Sequence, residues 1–450
     1  MHKINCIMKK LRSYRLTSSL CAVLLMLVFA SCKDDKEKSA THDPNKPITL
    51  TNFYPTNGGV ATKLILNGDN FGSDAKNIKV FINDKPAAVI SSIGNKIYAI
   101  CPRKPGEGDE NQIIDCKVKV KIGDQEVEYP EHFIYQIQTV VTTVCGIKDA
   151  PDDVVTGNLA QTTMPPVTYL TIDKDNNIIA CLRNRNSYYN NNKVILVNED
   201  EDASRLLIPD TGAPLNQPCM LDDGNTVYIP TDSNLDYWVM SSENLWSPIK
   251  QTLRPATGEQ ININFKHSFA MCTIDGYMYT RAKQNGVLYK FDPKTGLTMQ
   301  VATGLMSESD AYMAFSQKNP SKLYLAYTNS HCIYTYDVLT KKHELFAGIV
   351  NNSGYLDGIG SYAMFNQPRQ LILDEDDNLY IADTENHVIR KVTPQGQVST
   401  VIGQAGVAGY QDGDPEVALF DRPHGVCINK EGIIYIGDYE NQCIRRLAIE

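Results

Sequence analysis

The sequence predicts an all-β protein in which a small sandwich of strands is followed by a ring of six similar sheets. Three observations lead to this prediction. One pattern of short strands is written twice near the carboxyl terminus, at a constant spacing. Short apolar runs bounded by turn residues recur along the chain before that repeat, which is typical of strands. The segment from Pro47 to Tyr135 is rich in such runs and shows no helical period.

The repeat lies between residues 365 and 445, and its two copies match in three places. Every matched pair is 55 positions apart, so no residue has been gained or lost between the copies. Each copy reads as four short strands, which describe one antiparallel sheet that must stack on neighbouring sheets. The matching segments are Phe365–Pro368 with Phe420–Pro423, Leu379–Asp383 with Ile434–Asp438, and Glu385–Arg390 with Glu440–Arg445.

These residues resemble the NHL repeat, whose pattern is close to P-x-G-hydrophobic followed by L-Y-V-A-D-x-x-N-x-x-I-R. The resemblance implies a β-propeller, which we assign to residues 140–450. The last copy ends after three strands, and Val141–Gly146 reads like the missing fourth. We therefore expect residues 141–146 to close the last blade and to leave no free sheet edge. Four weaker copies bring the count to six blades: Ile178–Ala180, Val227–Ile229, Tyr277–Tyr279 and Leu323–Ala326.

Residues 1–31 are predicted to be a lipoprotein signal peptide. Basic residues precede a short apolar core, Leu20–Ala30, and small residues stand just before Cys32. Phe29–Cys32 resembles a lipobox, although Phe29 departs from the usual leucine. The resemblance implies that Cys32 becomes the lipidated first residue. The alternative is cleavage nearby that leaves Cys32 free.

Residues 32–46 are predicted to be a flexible tether because they are charged or polar and contain proline. Lys33-Asp34-Asp35, directly behind Cys32, resembles the export signal of lipoproteins in Bacteroidota-type bacteria. The resemblance implies an outer-membrane protein that is anchored by lipid and faces the cell exterior.

Residues 47–136 resemble the IPT/TIG domain, an immunoglobulin-like β-sandwich. The most specific part of the resemblance is the G-x-N-F-G element at Gly68–Gly72. Strand alternation alone would support only a generic sandwich. In surface lipoproteins such a module is most often a spacer, so we expect it to bind no ligand of its own.

The charge of the chain limits its partners. The net charge is −9, and removal of residues 1–31 takes away five basic residues and no acidic one, which leaves −14. An acidic surface argues against nucleic acid or an anionic membrane surface as a partner, so only the lipid is expected to reach the membrane. Nine of the twelve cysteines follow Cys32, without metal-binding spacing. Cys101 and Cys116 are left open as a disulfide or two thiols.

Binding in a propeller is expected in the loops between second and third strands, because function lies in such loops rather than in the fold. The first of these loops is long and rich in Asn and Tyr. Aromatic faces, amides and guanidinium groups suit the surfaces and hydroxyls of a carbohydrate, although an inserted loop can also simply be polar. The candidate ligand-binding residues are Arg183, Arg185, Tyr188, Tyr189, Asn190, Tyr237, Arg369 and His424.

The mouth of the propeller axis is the other candidate location. His267 is one position away from a residue predicted at the mouth, and the predicted register places no acidic residue there. Because a zinc site needs at least three protein ligands, we expect no metal at the mouth. We also expect no cofactor and no catalytic residue. The residues predicted at the mouth are Thr168, Gln217, Ser268, Met313, Arg369 and His424.

The favoured hypothesis is a non-catalytic surface lipoprotein that binds glycan for an outer-membrane uptake system. The resemblance to polysaccharide-utilisation lipoproteins implies glycan and importer proteins as partners. Two alternatives remain open, a propeller lyase or hydrolase with its active site in the axial pocket and a protein-protein scaffold within an importer complex.

Overall fold

The structure is a computed structural model. It describes residues 41–60, 62–102, 105–106, 113–137, 139–187, 190–232 and 235–449. The chain divides into two compact units, Met1–Ile137 and Gln138–Glu450. The predicted signal peptide, Cys32 and residues 33–40 of the predicted tether lie outside the described residues. In the described part of the chain, no helix has the length and apolar character needed to cross a bilayer.

Strands dominate both units, and the all-β fold class predicted from the sequence is confirmed. Helical structure in the described residues is limited to short 3-10 turns: Ala75–Asn77, Leu159–Gln161, Ser242–Asn244, Gly360–Tyr362 and Thr384–Asn386.

The first unit is a sandwich of a seven-stranded and a three-stranded sheet. The larger sheet has the order β1-β3-β6-β5-β4-β8-β9 and the smaller β2-β10-β7. Alternate residues point into the core, as in β4, where Ile78, Val80 and Ile82 are buried while Lys79 is exposed. The strands are β1 (Thr49–Tyr54), β2 (Asn57–Gly58), β3 (Lys63–Gly72), β4 (Ile78–Ile82), β5 (Lys85–Ser92), β6 (Gly94–Ile100), β7 (Ile113–Cys116), β8 (Val118–Ile122), β9 (Gln125–Glu128) and β10 (Phe133–Gln136).

The G-x-N-F-G element has a structural role in this sandwich. A side chain on Gly68 would collide with the carbonyl oxygen of Thr49 and with the ring of Phe71. Asn70 has a φ of 64°, a left-handed conformation that asparagine tolerates. Its amide accepts a hydrogen bond from the backbone N–H of Asp43 at 2.8 Å and donates to the carbonyl of Lys46 at 2.9 Å.

Residues 41–46 were predicted to be part of a flexible tether, but they lie against the sandwich. The Asn70 amide holds Asp43 and Lys46, and Gln125 donates to the carbonyl oxygens of Pro44 at 3.2 Å and Lys46 at 2.9 Å. The prediction was wrong for this segment because composition does not reveal partners that lie far along the chain. The nine cysteines in the described residues, including Cys101 and Cys116, are free thiols.

The second unit contains six sheets, each of which we call a blade. Blades 1 to 5 are each continuous in sequence, and blades 3 and 5 carry one extra short strand each, β20 and β29. The innermost strands of consecutive blades pack on one another, and that of blade 6 packs on that of blade 1, so the ring is closed. The strands are β11 (Thr139–Cys145); β12 (Val167–Ile172), β13 (Ile178–Leu182), β14 (Lys193–Asn198) and β15 (Ala203–Ile208) in blade 1; β16 (Cys219–Met220), β17 (Thr226–Pro230), β18 (Asp236–Ser241) and β19 (Ile249–Thr252) in blade 2; β20 (Arg254–Pro255), β21 (Ala270–Met271), β22 (Met278–Arg281), β23 (Leu288–Phe291) and β24 (Leu297–Ala302) in blade 3; β25 (Ala311–Phe315), β26 (Lys322–Tyr327), β27 (Cys332–Asp337) and β28 (His343–Gly348) in blade 4; β29 (Gly358–Ile359), β30 (Pro368–Leu373), β31 (Leu379–Asp383), β32 (Val388–Val392) and β33 (Gln397–Ile402) in blade 5; and β34 (Pro423–Ile428), β35 (Ile434–Asp438) and β36 (Cys443–Ile449) in blade 6.

Blade 6 is completed by β11, from the other end of the unit. Strand β11 pairs antiparallel with β36, with Thr142 opposite Arg446. Its other edge also has a partner, because Val141 and Gly413 exchange backbone hydrogen bonds at 2.8 and 3.0 Å. The outer edge of blade 6 is therefore made of backbone that precedes the first blade.

The duplicated pattern folds into a buried ion-pair cluster in each of blades 5 and 6. In blade 6, the fully buried Arg445 donates to Asp438 at 2.8 Å and to Asp412 at 2.6 Å. The Asn441 amide donates to Asp438 and to the carbonyl of Gly409, both at 2.8 Å. Each cluster thus ties the link between two blades to the second and third strands. The equivalent residues in blade 5 are Arg390, Asp383, Asp357, Asn386 and Gly354.

Candidate ligand-binding site

A pocket of about 340 Å³ opens at the end of the propeller axis where the innermost strands begin. Three kinds of segment reach it: innermost strands, the links that precede them, and loops between second and third strands. The lining residues include Tyr169, Tyr312 and Arg369 from innermost strands, Asn216, Phe265, His267, Glu308 and Asp310 from links, and Arg183, Asp232, Lys283 and Gln284 from loops.

Two tyrosines meet at the bottom of this axial pocket. Tyr169 comes from blade 1 and Tyr312 from blade 4, on the opposite side of the ring, and their hydroxyls are hydrogen-bonded to each other. Their ring centroids are 5.2 Å apart. Burial raises the pKa of both hydroxyls, so both keep their hydrogen at neutral pH.

Arg369 lies beside the tyrosine pair. Its Nη1 donates to the Tyr312 hydroxyl at 3.4 Å, which is long for a hydrogen bond. Its Nε is buried and has no hydrogen-bond partner among the described residues. The guanidinium also forms no ion pair with a described carboxylate.

The two carboxylates of the axial pocket, those of Asp310 and Asp232, already have nitrogen atoms of neighbouring side chains close to them. Lys283 Nζ is 2.7 Å from Asp310 Oδ1, and His267 Nε2 is 3.4 Å from the same oxygen. Burial would raise the pKa of Asp310, but His267, Lys283 and Arg369 together lower it. Asp232 accepts a hydrogen bond from the Asn216 amide at 2.5 Å. Both carboxylates therefore already have partners within the protein.

Two buried cations support the wall that carries these residues. Arg281 donates to the carbonyl oxygens of Met306, at 2.7 Å, and of Ser309, which fixes the link that presents Asp310. Its guanidinium stacks over the Tyr327 ring, 5.3 Å from the centroid. Lys266 is fully buried and donates to the Thr231 carbonyl at 2.9 Å, which connects the link of blade 3 to the loop of blade 2.

A larger cavity, of about 610 Å³, lies at the opposite end of the axis. Gln217 and Gln370 belong to it and bridge blades: Gln217 donates to Met313 at 3.0 Å, and Gln370 donates to Leu170 at 2.6 Å. The other lining residues are mainly apolar or contribute backbone, and few are charged. The axial pocket is the better candidate because its charged groups converge on one small volume.

The structure brings two of the predicted ligand residues, Arg183 and Arg369, into the axial pocket. Arg185 instead pairs with Glu440 at 3.0 Å, and Asn190 is exposed on the same loop. Tyr188 and Tyr189 lie outside the described residues.

Tyr237 and His424 are both buried. Tyr237 is 1% exposed and packs against Phe269 and Phe291, so its ring presents no surface to a ligand and its proposed role was wrong. Tyr237 is the second residue of strand β18, and its side chain lies on the buried face of that strand. His424 stacks on Tyr439 with centroids 4.0 Å apart. Burial, with the charges of Arg369, Arg183 and Arg422, lowers the pKa of His424 well below its usual value.

Sequence reasoning missed four of the twelve lining residues of the axial pocket by one position. Thr168 and Ser268 were predicted at the mouth, but their hydroxyls donate to carbonyl oxygens within the propeller. The statement that no acidic residue reaches the mouth was also wrong, since Asp232 and Asp310 line it. Alternation along each strand was the available signal, but a one-residue shift exchanges lining and packing side chains. The lining residues one position from those predicted are Tyr169, Asn216, His267 and Tyr312.

Metal binding finds no support in the geometry. Across the described ranges, no group of three or more His, Cys, Asp or Glu side chains is arranged to hold a metal ion. The donors of the axial pocket, guanidinium, ammonium and tyrosine hydroxyl, suit an organic ligand better than a cation.

Comparison with known families identifies one module in each unit. The model of the IPT/TIG domain matches residues 48–135, and the model of the NHL repeat matches residues 420–447. The chain carries an IPT/TIG domain and an NHL repeat. The resemblances to the IPT/TIG domain and to the NHL repeat are thereby confirmed.

Among curated proteins, the chain is similar to SUPPRESSOR OF QUENCHING 1 of Arabidopsis thaliana, with 28% identity over 133 residues. The match covers 28% of this chain and 13% of that protein. It is also similar to NHL repeat-containing protein 2 of Bos taurus, with 33% identity over 22% of this chain and 14% of that protein. The chain therefore spans only a small part of the curated relatives it matches.

Among solved structures, the chain is similar over nearly its whole length to an auxiliary nutrient binding protein from Bacteroides thetaiotaomicron. The two share 25% identity with a TM-score of 0.60, over 91% of this chain and 100% of the other. The similarity thus extends across both units of the chain.

Proposed function

We propose that the protein is a nutrient-binding protein that captures a short oligosaccharide in the axial pocket. The observation that carries the proposal is the convergence of Arg183, Arg369, Asp232, Asp310 and the Tyr169–Tyr312 pair on one cavity. The similarity to a Bacteroides auxiliary nutrient binding protein over both units supports it. The cavity volume lies within the range of about 300–1,000 Å³ that is usual for small-molecule sites.

The pocket offers both kinds of contact that a sugar needs. Phe265 is partly exposed on the lining and can lie against the C–H face of a sugar ring. Gln284 is also on the lining and carries an amide that both donates and accepts. Carboxylates that accept and guanidinium groups that donate are suited to sugar hydroxyls, which do both. Recognition of a sugar therefore needs no metal or cofactor.

A titration of the purified mature protein against a panel of oligosaccharides tests this proposal. We expect saturable binding that Phe265→Ala weakens about tenfold or more, because an aromatic contact and its buried area are lost. Tyr362→Ala is the matched control, since Tyr362 is 75% exposed and lies outside the pocket lining. A panel with no binding ligand, or equal weakening by both variants, would contradict the proposal.

The enzymatic alternative has one observation in its favour. His267 lies in the axial pocket with its Nε2 at 3.4 Å from Asp310 and 4.0 Å from Asp232. Burial lowers the pKa of His267, so the ring is neutral and able to accept a proton. Product analysis of the same titration samples separates the two functions. Turnover that His267→Asn abolishes would establish a lyase or hydrolase in place of a binding protein.

We further propose that the protein works at the outer membrane, facing outward and beside importer proteins. The support is the sequence before residue 41, with its lipobox-like Phe29–Cys32 and the acidic signal behind it. Fatty-acid labelling of cells should mark the wild type and leave Cys32→Ser unlabelled and released from membranes. A protease added to intact cells should digest the wild type. Lack of labelling, or full protection from the protease, would refute this location.

A further inference from the structure

The axial pocket has an imbalance between its charged groups. Asp310 is paired with Lys283 and His267, and Asp232 accepts from the Asn216 amide. Arg369 has no comparable partner: at the tyrosine pair it meets only hydroxyl groups, with a long hydrogen bond of 3.4 Å to Tyr312 and a further one to Tyr169, and it forms no ion pair among the described residues. Each of these carboxylates therefore has a nitrogen of a neighbouring side chain close to it, whereas no described carboxylate forms an ion pair with Arg369.

The groups around Arg369 keep hydrogen-bond donors that a ligand could use. Whichever hydroxyl of Tyr169 and Tyr312 donates within the pair, the other keeps its hydrogen for a ligand. Arg183 lines the same pocket and lies near enough to His424 for its charge to act on that ring together with the charge of Arg369. His424 is 5% exposed, and neither of its ring nitrogens has a hydrogen-bond partner in the described structure.

A guanidinium removed from water without a counter-charge is costly, and an anion that enters beside it removes that cost. Arginine presents its donors as a planar fork, which fits the two oxygens of a carboxylate or sulfate. Glu308 also lines the pocket, but it is exposed and forms no ion pair with Arg369. No described carboxylate of the protein pairs with this guanidinium, so the position is open to an anion from a ligand.

We infer that the oligosaccharide bound in the axial pocket carries an anionic group, a carboxylate or a sulfate, which Arg369 binds at the tyrosine pair. The inference rests on the proposed function and narrows its ligand class from sugars in general to acidic sugars.

The test compares ligands that differ only in charge. Uronic-acid oligosaccharides are titrated into the mature protein beside their carboxyl-reduced forms, and sulfated oligosaccharides beside their desulfated forms. We expect the charged member of at least one pair to bind about 10- to 100-fold more tightly, the range for a charge-assisted hydrogen bond. Which pair shows the difference identifies the anion. The difference should shrink as salt is raised, because salt screens the ion pair.

Three variants make the test specific to Arg369. Arg369→Met should weaken binding of the charged ligand far more than binding of its neutral counterpart, so that the two affinities become similar. The affinity of Arg369→Lys for the charged ligand should lie between those of the wild type and Arg369→Met, because lysine keeps the positive charge but lacks the planar fork of donors. Arg369→Lys takes the place of Arg369→Met in the test if the latter does not fold. Arg205→Met is the matched control, since it removes one positive charge from an exposed position of strand β15 and should change neither affinity.

The outcomes separate this inference from the proposed function. If charged and neutral members bind equally and Arg369→Met weakens neither selectively, the protein binds sugars but the inference is wrong. If no member of either series binds and a neutral panel also fails, the inference and the proposed function fall together.

Discussion

Lys266 and Arg281 are single buried residues that support the axial pocket, although neither of them lines it. Both side chains are 2% exposed or less, and both donate hydrogen bonds to backbone carbonyl oxygens of neighbouring loops. A lysine in this position is unusual, because burial penalises its charged form. Burial lowers the pKa of Lys266 to about 7, although Asp232 and Asp236 act in the opposite direction.

This pKa makes a prediction about stability and pH. Between pH 7 and 8.5 the folded state releases the Lys266 proton, whereas the unfolded state keeps it, so the free energy of unfolding should rise with pH. The contribution is at most about 1.4 kcal/mol per pH unit. Denaturant unfolding of wild type and Lys266→Met over this range measures it, because groups common to both proteins cancel in the difference. A constant difference between the two would show that Lys266 titrates normally.

The tyrosine pair shows why the pocket was hard to predict from residues alone. Tyr169 and Tyr312 are 143 positions apart, and each sits in an apolar strand where a buried aromatic is the ordinary expectation. Nothing local distinguishes a tyrosine that packs between blades from one whose hydroxyl reaches the axis. Arg369 was placed at the mouth by the blade register, and in the structure it lines the axial pocket.

At the scale of elements, the links between blades are held by the buried clusters in blades 5 and 6. We expect Asp438→Asn to cost about 3–5 kcal/mol, because it leaves the fully buried Arg445 without its buried carboxylate. Asp412→Asn should cost less, about 1–2 kcal/mol, since water can reach this half-exposed site. Chemical denaturation measures both costs. Equal costs, or the reverse order, would contradict this account of the cluster.

Strand β11 is the second element with a testable role. The Val141 N–H points to Gly413, so alternation directs the N–H of Thr142 towards β36. We expect Thr142→Pro to lower the unfolding temperature by several degrees, because proline removes this donor from the middle of a sheet. Thr142→Ala keeps the N–H and should unfold close to the wild type. Matching unfolding temperatures for the proline and alanine variants would show that β11 does not fasten the ring.

At the scale of the whole molecule, the fold was more predictable than the site for a physical reason. Strand alternation, turn residues and a 55-residue repeat are local signals, and they predicted the all-β class and sheets as repeating units. The pocket depends on side chains from separate blades and on links such as those carrying Asn216 and Asp310, whose positions no local pattern encodes. The long Asn- and Tyr-rich loop was selected for its composition, yet among its described residues only Arg183 lines the pocket.

The central claim is that a sugar binds at the axis beside Arg369. A crystal structure of the mature protein with its tightest-binding oligosaccharide tests this claim most directly. We predict density for the ligand in the axial pocket, with a sugar ring against Phe265 and an anionic group within hydrogen-bond distance of Arg369. An oligosaccharide seated on the outer part of the 183–192 loop or in the cavity at the other end of the axis, with the axial pocket free of ligand, would contradict it.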